Sequence, residues 1–172
     1  MEIKYNLTEE DYIHFNMYHI KNSKSAIRSL NAQRYLTPVF FILLSYILSL
    51  AGDTPFLELF IAFFITSILW ILFYPKYFYS SVTRRIKKMF REGKNGGLLG
   101  EHVLSMTNEG LIESTSNGQT KVNWSGIISL KEDNQYFYLY NSSVSALILP
   151  KREVANVEEA SNFINSKVPF HS

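Results

Sequence analysis

The four histidines, side chains suited to acid–base work or metal binding, are scattered along this 172-residue chain at 14, 19, 102 and 171. His14 and His19 stand five apart in a stretch of helical periodicity. Two imidazoles sharing a metal on one helical face stand four apart, so the spacing does not suit ligation. Asp11 precedes His14 by three residues and is within pairing reach on a helix. Both histidines read as surface or packing groups. Glu101 and His102 are neighbours in an alternating segment, where successive side chains point to opposite faces. The absence of cysteine excludes a disulfide framework and a thiolate-held metal, and suits a reducing compartment without requiring one. No nucleophile stands beside a base and no carboxylates cluster with histidines, so no catalytic residue, metal site or cofactor is assigned and the chain is read as a non-enzyme.

Two further groups invite a ligand. Trp124 with Tyr136, Phe137, Tyr138 and Tyr140 could stack on a planar molecule. Strand alternation sends Phe137 and Leu139 one way and the three tyrosines the other, which is expected to give a core face and an interface face. Arg84, Arg85, Lys87, Lys88 and Arg91 form the basic side of FYSSVTRRIKKMFREGK, opposite Phe78, Val82, Ile86, Met89 and Phe90. Gly93, Asn95, Gly96 and Gly97 are expected to end this amphipathic helix. Beside a bilayer such a face attracts anionic headgroups at about 1 kcal/mol per basic residue; the plainer reading is that the charges only fix topology. A formal charge of +2 is too small to argue for nucleic acid, and none is expected.

These groups must be positioned by elements of two kinds. All seventeen Lys and Arg lie outside residues 35–75, and that window holds only Asp53 and Glu58 as acids. Within it, YLTPVFFILLSYILSLA (35–51) and FLELFIAFFITSILWILFY (56–74) approach the ~20 apolar residues that cross a bilayer. Gly52-Asp53-Thr54-Pro55 joins them as a tight polar turn. The first span is short, so bilayer thinning or an extension through Arg34 is expected. Neither segment has the polar face of a soluble core helix, and Ser45, Ser49, Thr66 and Ser67 can bond within their own helix. Tyr35, Trp70, Tyr74, Tyr77 and Tyr79 mark an interfacial belt.

The connecting loop has no Lys or Arg, whereas the flanks carry Lys21, Lys24, Arg28 and Arg34 on one side and Lys76, Arg84, Arg85, Lys87, Lys88, Arg91 and Lys94 on the other. The positive-inside rule then places both termini in the cytoplasm. Glu58 lies near the outer end of its span, shallow enough to reach headgroups. The opening MEIKYNLTEED has no apolar core of a secretory signal, so targeting is expected to rest with the spans.

The rest reads as cytoplasmic. Ile3, Tyr5 and Leu7 alternate as a short strand. Thr8 followed by Glu9, Glu10 and Asp11 starts a helix carrying Ile13, Met17, Ile20, Ile27 and Leu30. From Gly100 the period switches to two, with turns at Asn108-Glu109-Gly110, Asn117-Gly118, Ser125-Gly126, Glu132-Asp133-Asn134 and Asn141-Ser142-Ser143. Pro150 stops the sixth strand, and Asn156 with Glu159 caps a final helix whose apolar side is Val157, Ala160, Phe163 and Ile164. The expected fold class is an α+β membrane protein: a two-helix transmembrane hairpin plus an antiparallel β meander of six or seven strands closed by a C-terminal helix. Its parts are 1–34, the hairpin 35–75, a basic juxtamembrane helix and Gly-rich linker 76–97, and a β domain 98–172. The sequons at Asn6, Asn123 and Asn141 fall on the cytoplasmic side and are chance matches.

With these segments located, the chain resembles the YcxB-like family of small bacterial membrane proteins. LTEEDYIHFNMYHIKNS at 7–23, GEHVLSMTNEGLIEST at 100–115, VNWSGIISLKED at 122–133 and YFYLYNSSVSALILPKR at 136–152 carry the resemblance, in order, around a membrane hairpin. It implies a C-terminal domain similar to bacterial pleckstrin-homology-like domains, a bent sheet closed by one helix, and a place in the bacterial inner membrane as a multi-pass protein. It brings no activity and no catalytic residues. The expected function is a membrane-tethered interaction or regulatory module whose β domain meets a protein partner or anionic lipid headgroups, and it is compatible with a homo-oligomer. A membrane-bound hydrolase would need a site the sequence does not display. A transport or channel subunit would need oligomers of a two-span chain that lacks buried polar residues and GxxxG.

Overall fold

The computed structural model of the chain describes residues 1–93 and 97–168; Lys94, Asn95, Gly96 and His171, used in the sequence reading, lie outside them. The elements are β1 (Glu2–Leu7), α1 (Glu9–Asn22), α2 (Lys24–Ala51), α3 (Phe56–Arg91), β2 (Gly100–Met106), β3 (Gly110–Thr115), β4 (Gly118–Asn123), β5 (Ser129–Glu132), β6 (Tyr136–Tyr140), β7 (Ala146–Pro150) and α4 (Val157–Lys167). The architecture is α+β, with antiparallel sheets, a C-terminal helix and two long apolar helices, and it divides into two compact units. One comprises Met1–Asn16 with Lys87–Ser172, the other Met17–Ile86.

In the first unit β1 alternates as its sequence requires, burying Ile3, Tyr5 and Leu7. It pairs antiparallel with β2, Glu2 opposite Ser105 and Leu7 opposite Gly100. Residues 1–7 therefore supply the seventh strand, to a partner far along the chain. The expected single meander is two sheets, ordered β1-β2-β3-β4 and β5-β6-β7. They part at a 3-10 turn over Trp124–Gly126, where the Ser125-Gly126 bend was expected. Trp124 is buried there, its Nε1 donating to Thr107 O at 2.8 Å and its ring meeting Phe163 edge-on at 6.0 Å. A buried indole needs both an apolar seat and an N–H acceptor, and turning the chain inward satisfies both.

The β2–β3 turn is closed by Thr107, whose Oγ1 accepts from the N–H groups of Glu109 and Gly110. A Cβ at Gly110 would stand 2.3 Å from Val122 O, so only glycine lets β4 approach. In the next hairpin Thr115 pairs with Gly118, leaving Ser116 and Asn117 as the loop. No described non-glycine residue has positive φ, so Asn117-Gly118 is not the central pair of a type I′ turn, which needs positive φ at both positions.

The core lies between the sheets and α4, where Leu104, Leu111, Ile127, Phe137, Leu139, Leu149, Ala160 and Ile164 are inaccessible to solvent. Asn156 caps α4 as expected, Oδ1 accepting from Glu159 N at 3.1 Å. All five residues of β6 are buried. The tyrosine side, expected as an interface, is covered by α1: the Phe15 ring lies 5.5 Å from Tyr138 and 5.9 Å from Tyr140.

In the second unit, the single helix expected from residue 9 through Leu30 is interrupted. Ser23 leaves helical geometry (φ −86°, ψ 116°), and its Oγ accepts from Ala26 N at 3.4 Å, a serine N-cap opening α2. Helix α2 then runs on through the first apolar segment. At 1.5 Å per residue α2 is about 42 Å long and α3 about 54 Å, against a hydrocarbon core of about 30 Å. Both are long and apolar enough to cross a membrane. Their large apolar side chains stand outward, with Leu36, Leu50, Leu57 and Leu72 more than 60 % exposed. Ser45, Ser49, Thr66 and Ser67 each donate to a carbonyl one turn back at 2.7–2.9 Å, so none is left unpaired in apolar surroundings.

Candidate functional site

A polar assembly in the β unit begins at the first turn of α1. Thr8 N and Oγ1 donate to Asp11 Oδ2 at 2.8 and 2.9 Å, and Asp11 N returns a bond to Thr8 Oγ1 at 3.3 Å, a reciprocal cap. Arg152 grips the same carboxylate with both terminal nitrogens, at 2.7 and 2.8 Å, and Tyr136 Oη donates to it at 2.5 Å. Burial works to raise the Asp11 pKa, but Arg152, Tyr136 and Thr8 outweigh it and hold the carboxyl well below the usual range. Burial and the Asp11 charge push the Tyr136 hydroxyl up to about 12. A carboxylate with its lone pairs filled in this way is a fastening, not a base.

His14 does not pair with Asp11, as i,i+3 spacing had suggested. Its Nε2 lies 2.9 Å from Asp133 Oδ2, which also accepts from Tyr138 Oη at 2.8 Å. Asp133 Oδ1 accepts from the backbone of Gln135 and Tyr136, so the turn before β6 is an Asx turn that reaches α1. Burial again opposes ionisation of Asp133, and the bonds from Gln135, Tyr138, His14 and Tyr136 overcome it. Lys151 Nζ ties the other side of this turn through Glu132 Oε2 and Asp133 O.

A second cluster crosses three strands. His102, 3 % exposed, lies opposite Tyr5 and stacks on it at 5.2 Å; its Nδ1 is 3.0 Å from Glu113 Oε1, which also accepts from Tyr5 Oη at 2.7 Å. Against burial, His102 and Tyr5 hold Glu113 below the ordinary carboxyl value. Burial and the Glu113 charge raise the Tyr5 hydroxyl. His102 Nε2 is buried with no partner among the described residues. Adjacency in the sequence offers His102 only Glu101. The real partners stand on neighbouring strands, and only the register of β1, β2 and β3 reveals them. Among the described residues no three metal-binding side chains gather.

The basic candidates Arg84, Arg85, Lys87, Lys88 and Arg91 are all exposed on α3, with Ile86 buried among them. Lys87 lies 3.9 Å from Glu9 and Lys88 3.8 Å from Glu92, loose surface pairs that contribute little. Arg85 and Arg91 have no ion-pair partner among the described residues.

Residues 107–165 match the family model described as YcxB-like protein. Over this stretch, about a third of the chain, the sequence is similar to the YcxB-like domain. The match runs from the turn before β3 into α4 and is narrower than the near end-to-end resemblance read from the sequence. No curated protein and no solved structure matches the chain significantly. The YcxB-like stretch holds Glu113, Trp124, Asp133, Tyr136 and Arg152. The groups that fasten onto it, Tyr5, Asp11, His14 and His102, come from outside it.

Proposed function

We propose that this protein is a membrane-anchored binding module and not an enzyme. Its α2–α3 hairpin crosses a bacterial inner membrane with both termini in the cytoplasm, and its β unit, of pleckstrin-homology-like build, works at the membrane surface. The observation that carries this reading is the course of α3. It leaves an apolar stretch with outward-facing side chains and continues without a break into five exposed cations, Arg84, Arg85, Lys87, Lys88 and Arg91. Cations at that position attract anionic headgroups. The orientation is supported by the contrast between the uncharged-to-acidic Gly52–Pro55 turn and the basic flanks. The build is supported by a four-stranded and a three-stranded antiparallel sheet followed by one helix. Binding is favoured over turnover because Asp11, Asp133 and Glu113 already accept structural hydrogen bonds.

A cytoplasm-dependent reporter should be active after Ser172 and silent in the Gly52–Pro55 turn; the reverse pattern overturns the topology. For the surface role, residues 1–16 joined by a flexible linker to 76–172 should float with anionic vesicles. Flotation should fall with salt, since exposed charges are screened within ~8 Å at physiological ionic strength, and should be lost when the five cations are neutralised. Equal flotation with neutral vesicles rejects lipid as the partner. A protein partner is the second reading, favoured by β4, which lies at the edge of its sheet and is exposed along most of its length. Such an edge accepts an added strand.

A further inference from the structure

We propose that the first turns of α2 form a separate site that seats one anionic phospholipid, its phosphate held by Lys24 and Arg28. The proposal rests on the membrane reading above. A shallow groove of about 650 Å³ runs along α2, lined by Lys24, Ile27, Arg28, Asn31, Tyr35 and Leu36. These positions recur at intervals of three and four, so they form one stripe on the helix. The stripe is ordered by chemistry. Lys24, Arg28 and Asn31 present N–H donors at its start, and α2 contains neither Asp nor Glu to neutralise them. The exposed apolar residues Leu36, Val39, Phe40 and Leu43 continue it.

The neighbouring cations are engaged within the same unit. Lys21 lies 5.9 Å above the Tyr79 ring, and Arg34 bonds to Ile71 O. Lys24 and Arg28 are exposed and have no hydrogen-bond or ion-pair partner among the described residues. From Arg28 to Leu43 the helix rises about 22 Å at 1.5 Å per residue, close to the depth of one leaflet when headgroups are included, about 20–22 Å. Headgroup donors and tail-facing side chains thus stand at the separation a phospholipid needs. A guanidinium offers a phosphate diester two parallel N–H bonds, and an ammonium adds a point charge. A zwitterionic headgroup brings its own cation and gains less from the same pair.

The test is native mass spectrometry of the full chain in mild detergent, titrated with phosphatidylglycerol or phosphatidylcholine. One phosphatidylglycerol should be retained at least about ten-fold more tightly than phosphatidylcholine. Lys24→Gln with Arg28→Gln should abolish that preference, and Arg28→Lys should keep part of it. Neutralising Arg84, Arg85, Lys87, Lys88 and Arg91 should leave it intact. Equal affinity for the two lipids, indifference to the Lys24/Arg28 change, or loss on neutralising α3 overturns the site. A chain that stays soluble without detergent overturns the membrane reading as well, whereas a membrane-embedded chain without lipid preference overturns the site alone.

Discussion

Arg34 donates its Nε hydrogen to the carbonyl of Ile71 at 2.9 Å, a carbonyl that Pro75, having no N–H, leaves without its usual donor one turn on. Two irregularities that would each be costly in apolar surroundings, a cation beside an apolar stretch and an unpaired carbonyl within one, thereby satisfy each other. Nearby, Trp70 Nε1 donates to Gln33 O at 3.3 Å and Tyr74 Oη to Gln33 Oε1, so the start of the first apolar stretch is latched to the end of the second.

This relationship makes Arg34 and Pro75 energetically coupled. Arg34→Met should destabilise the detergent-solubilised chain by about 1.5–3 kcal/mol, the range for a charge-assisted hydrogen bond. In a Pro75→Ala background, where the helix regains its own donor to Ile71 O, the same change should cost at least about 1 kcal/mol less. Thermal unfolding of the four variants measures the cycle. Strict additivity would mean that the bond is incidental.

The fastening at Asp11 predicts an acid-sensitive β unit. The Asp11 carboxyl lies lower in the folded chain than the ordinary value of about 3.9. Its contribution is therefore complete above that value and is lost as pH falls below about 4 toward the folded pKa. Asp133 and Glu113 are shifted in the same direction and add to the loss. Asp11→Asn should lower stability at pH 7 and flatten, without abolishing, the fall between pH 5 and pH 3. Removing Asp11 altogether should cost roughly 2–3 kcal/mol, less than a fully buried ion pair would, because the Arg152 side chain is 47 % exposed and water can take over part of its bonding.

Gly110 pairs with Asn123, and Trp124 N donates to Glu109 O, where the two sheets part. Gly110→Ala would force a Cβ to 2.3 Å from Val122 O, so the β3–β4 pairing must shift. Trp124→Ala should cost about 3–5 kcal/mol, as for other buried aromatics, and should leave Thr107 O without its indole donor. Chemical unfolding monitored by far-ultraviolet circular dichroism should show both losses, with a smaller one for Trp124→Phe, which keeps the ring but not the N–H.

What could be read from the sequence was what local chemistry specifies. Turn residues such as Asn108-Glu109-Gly110 and the Asn156 cap act within a few positions, so the hairpins and the start of α4 were legible. The apolar runs gave the two long apolar helices. The stop at Asn22 was missed because one serine cap is a weak signal inside a stretch that keeps helical periodicity on both sides. The alternation in Tyr136–Tyr140 assigned the two faces of β6 correctly but carried no information about what covers them. Asp11–Arg152 and Tyr5–Glu113 join residues more than a hundred positions apart, and neither local spacing nor composition encodes such partners.

The last prediction concerns what must be present for the β unit to fold. A fragment beginning at Leu98 contains β2–β7 and α4 but lacks β1, so β2 is left with an unpaired edge where Glu2–Leu7 would lie. It also lacks Phe15 and Asp11, leaving the tyrosine face of β6 bare and Arg152 and Tyr136 without their carboxylate. An open edge beside an apolar face is a template for aggregation, so residues 98–172 alone should elute as soluble aggregates in size-exclusion chromatography. Adding residues 1–7 through a flexible linker repairs the edge only, and should give a monomer that still binds a hydrophobic dye. Adding residues 1–16 repairs both defects, and should give a monomer with a cooperative melt and little dye binding. Phe15→Ala in that last polypeptide should restore dye binding without restoring aggregation, which separates the work of the strand from that of the helix. A well-folded monomer from 98–172 alone would show that β1 and α1 only decorate a domain complete without them.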